Sequence, residues 1–116
     1  MEDVTIIIND APYGAERPWN ALRLALTLSA VKSKVNVFLL GDAVFIAKKG
    51  QITPQGYYNL EKMVSDLVGK GGVVRACGSC LKSRGLGKED LVEGVEAGTM
   101  MGLAEWVKDS RTVLSF

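Results

Sequence analysis

The stretch VNVFLLGDAV, residues 35–44, decides the fold. From Val35 to Leu40 it is apolar at every position but Asn36, which is the pattern of a strand covered on both faces rather than of a half-exposed strand that alternates. A parallel sheet with helices on either side provides that double cover. Gly41 and Asp42 then end the run, and Asp42 is placed to cap a short helix over residues 43–49.

Working outward, VTIII (residues 4–8) is a β-branched run that stops at the turn formers NDAPYG, residues 9–14. Between these two strands, PWNALRLALTLSAV (18–31) places Trp19, Leu22, Leu26 and Ala30 at helical spacing. Leu24, Leu28 and Val31 add a second apolar stripe. A helix apolar on two sides needs two covers, and in so short a chain the second cover points to another subunit.

Beyond residue 44, KKGQITPQG (48–56) reads as a long surface loop and a candidate lid. In YYNLEKMVSDLVGKGG (57–72), Leu60, Met63, Val64, Leu67 and Val68 form one helical face, and the closing glycines stop it. VVRA (73–76) is the next strand and leads directly into Cys77. After RGLGKED, the helical period returns in TMMGLAEWVKDS, and TVLSF (112–116) reads as a final strand. Strands alternating with crossover-length helices predict an α/β fold: three layers, a mainly parallel sheet of about five strands flanked by helices, flavodoxin- or Rossmann-like, in one domain over residues 1–116. In such a sheet, reactive groups gather beyond the carboxyl ends of the strands, so residues 9–14, Gly41 with Asp42, and residues 77–80 are expected on one edge.

Composition narrows the function classes. With 47% apolar and 23% charged residues the chain is far from the balance of disordered proteins. A net charge of +1 provides no field to recruit nucleic acid or an anionic membrane, so neither is expected as a partner. No run has membrane-spanning length and the opening residues do not read as a signal peptide, which predicts a cytoplasmic protein.

That compartment bears on the two cysteines, Cys77 and Cys80, both within VVRACGSCLKSRG (73–85). Thiols stay reduced there, and a close pair at a strand end is expected to be reactive rather than a structural staple. A helical turn starting near Gly78 would aim backbone N–H groups at Cys77, and Arg75, Lys82 and Arg84 lie close in sequence. Arg75 and Arg84 are the expected thiolate-stabilising residues. One chemistry is sulfur transfer, with Cys77 attacking a persulfide donor and holding the terminal sulfur while Cys80 resolves the intermediate. A second is a dithiol–disulfide cycle of thioredoxin type, although such a site normally follows the first strand. A third leaves the thiols incidental, in a non-catalytic binding or assembly protein.

A closed zinc site needs about four ligands, and two cysteines with no histidine do not provide them, so no metal is expected. Neither G-x-G-x-x-G nor G-x-x-x-x-G-K-[ST] occurs, so no nucleotide cofactor is expected. Asp10, Tyr13 and Asp42 are the expected substrate-binding residues, because their loops share the thiols' edge. Trp19, Tyr57, Tyr58 and Trp106 read as core or interface aromatics, and Gly94, Gly98 and Gly102 as turns and caps.

The blocks VTIIIND, VFLLGDAV, YNLEKMV, ACGSCLKSRG and GTMMGLAEWVKDSRTVLSF together resemble the DsrE/DsrF-like family, small α/β proteins that include subunits of bacterial sulfur relays. The resemblance spans nearly the whole chain. It implies a flavodoxin-like sheet, assembly into homotrimers or homohexamers, sulfur donor and acceptor proteins as partners, and sulfur carried on a cysteine after a central strand, the position of Cys77. Cys80 departs from the lone thiol typical of relay subunits. The expected activity is that of a sulfurtransferase acting as a persulfide carrier.

Overall fold

The computed structural model describes residues 3–116. Five strands, β1 (Asp3–Ile8), β2 (Lys34–Leu39), β3 (Val73–Cys77), β4 (Glu96–Gly98) and β5 (Thr112–Ser115), form one sheet in the order β4-β3-β2-β1-β5. Every pairing is parallel, so all five carboxyl ends lie on one edge, as the apolar run at residues 35–40 predicts. Val35 through Leu39 are buried in β2, including Asn36.

Helices α1 (Arg17–Ala30) and α2 (Leu60–Gly69) pack against each other on the sheet. The buried stripe of α1 runs through Pro18, Ala21, Leu22 and Ala25, while Ala30 and Val31 are exposed and Trp19, Leu24, Leu26 and Leu28 are half-buried. The expected stripe is therefore turned. Two alanines face inward because their small side chains let helix and sheet approach closely.

Helix α2 follows its expected face, burying Leu60, Val64 and Leu67. Asn59 caps it by accepting the Lys62 amide at 3.0 Å. Its C-terminus is a Schellman turn in which Gly72 N donates to Leu67 O and Gly71 N to Val68 O, with Gly71 at φ +94°, a conformation glycine adopts without Cβ strain.

Helix α4 (Met100–Asp109) buries Leu103 and sets Trp106 edge-on to Phe38, ring centroids 6.1 Å apart. Thr99 caps it, accepting the Gly102 amide at 3.0 Å. Segment 41–47 is a 3₁₀ helix, capped by the extended backbone of Leu40 without a side-chain bond, so Asp42 does not have the capping role expected of it. The glycine at 98 is not merely a turn: a Cβ there would lie 2.7 Å from the ring of Phe38. Strand β4 itself, with sequence EAG, has no strand signature, and it exists because the edge of β3 accepts it.

Candidate functional site at the end of β3

Strand β3 ends at Cys77, and a six-residue helix, α3 (Gly78–Ser83), starts at once. This abrupt change folds the chain around the Cys77 sulfur. The Cys80 amide donates to Cys77 Sγ at 3.4 Å, and Ser79 Oγ lies 3.3 Å from the same sulfur. Cys77 is 7% exposed and Cys80 is half-buried; both are free thiols.

Cys80 belongs to a second backbone. The Gly41 amide, just beyond β2, donates to Cys80 Sγ at 3.2 Å. Parallel register explains the meeting, since Leu39 pairs with Ala76 and both strands end at the same level. Arg84 completes the junction, with Nε 2.9 Å from Asp42 Oδ1 and Nη1 donating to the Cys80 carbonyl at 3.0 Å.

The two thiols are driven apart electrostatically. Burial pushes Cys77 up, but hydrogen bonds from the Cys80 thiol, the Ser79 hydroxyl and the amides of both residues outweigh it, and Cys77 falls below the ordinary thiol value of 9.0. Cys80 rises above it, chiefly because its proton is shared toward Cys77 and also through burial, against the Gly41 amide and the Arg84 charge. Cys77 is thus the more readily ionised thiol of the pair, and Cys80 the one that holds its proton to higher pH.

The cysteines, Asp42 and Arg84 form one cluster; the other expected site residues have different partners. The Arg75 guanidinium lies 4.5 Å over the Trp106 ring. Asp10 pairs with Arg17 at 3.5 Å. Tyr13, at φ +68°, gives its hydroxyl hydrogen to Gln51 and accepts the Leu60 amide at 2.9 Å. Gln51 also donates to Ile46 O at 2.8 Å, and Glu61 accepts the Gly50 and Gln51 amides, so the expected lid is tied down at its first half. Arg17, Gln51 and Leu60 are not among the residues lining the cavity beside Cys77.

That cavity, about 590 Å³, opens between α3 and the β4–α4 junction. Residues 77–79 form one wall and residues 97–100 the opposite one. Sequence reasoning placed Gly41 on the thiols' edge but not its bond to Cys80, and did not single out Ser79 or this cavity. A hydroxyl between two cysteines was a readable signal; the Gly41 contact and the cavity depend on packing. Among the described residues, no group of three or more His, Cys, Asp or Glu is placed to hold a metal ion. No helix of the described residues is long and apolar enough to cross a membrane.

The model of the DsrE/DsrF-like family matches residues 2–116. The chain belongs to that family. It is 45% identical over 116 residues to the uncharacterized protein MK0008 of Methanopyrus kandleri, covering 100% of this chain and 95% of that one. Protein YchN of Escherichia coli K12 is 37% identical over 118 residues, with both chains covered completely. The crystal structure of the E. coli ychN protein superposes with a TM-score of 0.94 at 36% identity, again over 100% of both chains. Protein TusC of Buchnera aphidicola is 26% identical over 123 residues and 100% of both chains. This DsrE/DsrF-like chain thus has the sheet of the ychN protein over its full length.

Proposed function

We propose that this chain is a persulfide carrier of a sulfur relay, holding sulfane sulfur on Cys77 and passing it to an acceptor thiol. Family membership and the YchN and TusC relatives point to a sulfur-relay-type role. The observation that carries the finer reading is the lowered thiol of Cys77, which accepts the Cys80 amide at 3.4 Å and faces the Ser79 hydroxyl. Thiolate is the nucleophilic form, and the same donors would stabilise the anion of a bound persulfide.

The working unit is proposed to be a cytoplasmic homotrimer or homohexamer that meets protein donors and acceptors. Supporting this, Met100, Met101, Val107 and Val113 are exposed apolar side chains on α4 and β5. Strand β5 is also an edge whose outer side is unpaired among the described residues.

The test is to incubate reduced protein with a persulfide donor, remove the excess, and map the peptide covering residues 73–85. A gain of about 32 Da on Cys77, one sulfur atom, is the expected result, lost in Cys77→Ser. Loading retained by that variant removes Cys77 from the mechanism.

A further inference from the structure

We propose that the cavity beside Cys77 is the entry site for a small anionic organic persulfide, a molecule R–S–S–H whose R group pairs a short apolar body with a carboxylate. The proposal rests on the carrier reading of Cys77 and adds a small-molecule sulfur donor to the protein donors named above.

Four features converge on that chemistry. First, the thiol lines the cavity yet is only 7% exposed, so a donor must be slim enough to reach it through the opening. A volume of about 590 Å³ is in the range of sites that hold small molecules. Second, Leu81, Leu86 and Met100 provide apolar lining against which a short organic body packs.

Third, the lining includes Lys82 and Lys88 and no carboxylate; Glu89 lies over the backbone of Gly87 beside them. Fourth, both lysines are exposed and neither is in an ion pair among the described residues, whereas Arg84 is paired with Asp42. Lys82 and Lys88 are therefore free to meet the donor's carboxylate while its sulfur end approaches Cys77.

The transfer balances without an added oxidant or reductant. The Cys77 thiolate attacks the outer sulfur of R–S–S–H, and a bond forms between Sγ and that sulfur. The bond to the inner sulfur breaks, the electron pair leaves with R–S⁻, and the outer sulfur keeps its hydrogen. Water then protonates R–S⁻ to the extent its pKa requires.

Two measurements test the proposal separately from the carrier reading. Alkylation of Cys77 by anionic iodoacetate is compared with neutral iodoacetamide in wild type and in Lys82→Ala/Lys88→Ala, both exposed positions. The double variant is expected to lower the iodoacetate-to-iodoacetamide rate ratio about fivefold, as expected for losing exposed charge pairs. Sulfur loading is then timed with 2-carboxyethyl persulfide and with 2-hydroxyethyl persulfide, which has no carboxylate. Loading from the carboxylate donor should fall about fivefold in the double variant, with the hydroxyl donor unaffected.

An unchanged alkylation ratio, equal losses with both donors, or loading only from a persulfidated protein overturns the assignment. A shifted ratio with no mass gain from any donor, small or protein, overturns the sulfur chemistry itself and leaves only a preference for anions at the cavity.

Discussion

The Gly41 amide donates to Cys80 Sγ at 3.2 Å, so the end of β2 holds the second thiol of a pair whose first thiol ends β3. This bond between the segments that follow β2 and β3 makes the two sulfurs inequivalent before any substrate arrives. It fixes Cys80 from outside the C-x-x-C turn, while Cys77 is held from inside by Ser79 and the Cys80 amide.

Alkylation should therefore be ordered and pH-dependent. Cys77, below the ordinary thiol value, reacts first as pH rises; Cys80, above it, reacts later. Ser79→Ala removes one donor to the Cys77 anion and should move the midpoint of its alkylation profile upward, with peptide mapping distinguishing the thiols. The stability signs follow: the depressed Cys77 favours the folded state above the unfolded value and loses that contribution as pH falls through its folded value. The raised Cys80 contributes below the unfolded value and loses it as pH rises through its folded value. A midpoint that is unmoved in Ser79→Ala would exclude the hydroxyl from thiolate stabilisation.

Cys80→Ala separates carriage from a dithiol cycle. A carrier needs one thiol to hold sulfane sulfur, so loading on Cys77 should persist, whereas turnover as a disulfide reductase requires both and should disappear. Both are read from the same purified variant, by intact mass and by reduction of a disulfide substrate. Loss of loading would make Cys80 part of the carrier step.

Gly98→Ala should destabilise the fold by about 1–3 kcal/mol, the usual range for overpacking. A Cβ at this position would lie 2.7 Å from Phe38 Cε2 and 3.2 Å from Arg75 Cβ, and Phe38 is fully buried with no room to retreat. Chemical denaturation measures the loss. A variant as stable as wild type would show that β4 shifts outward freely.

Tyr13→Phe keeps the ring that stacks on Tyr58 and removes only the hydroxyl. The Leu60 amide then loses its acceptor and Gln51 loses its donor. A destabilisation of about 1 kcal/mol is expected, with faster hydrogen exchange at the Leu60 amide and faster proteolysis between residues 48 and 57. Unchanged exchange would mean that Glu61 and Asn59 hold the loop without Tyr13.

The fold was legible wherever one strand or helix carries its own pattern. The buried run of β2 and the single face of α2 are examples, because burial on both sides or on one stripe dictates their residue types. Strand β4 was not legible, since Glu96, Ala97 and Gly98 become a strand only through the pairing partner at Arg75 to Cys77. The turn of the α1 stripe was also hidden: Ala21 and Ala25 look neutral in sequence and are buried by the closeness of α2 and the sheet.

At the site, the C-x-x-C spacing pointed to the thiols and their strand end. Asp42 read as a cap because helix starts favour acids, and its true partner, Arg84, is distant in sequence. Arg75 lies two residues before Cys77, yet its guanidinium is over Trp106, a residue that only α4 brings there. Sequence proximity supplied the charge and tertiary packing spent it elsewhere.

The sheet order has a consequence for biosynthesis. Strand β1 lies between β2 and β5, and of these five strands β5 is the last to leave the ribosome. Until residues 112–115 arrive, one edge of β1 lacks its β5 partner, so the earliest of these five strands is among the last to be completed. A nascent chain stalled before residue 112 would thus expose that edge to chaperones or to other chains, a hazard set by topology rather than by any residue of the thiol site.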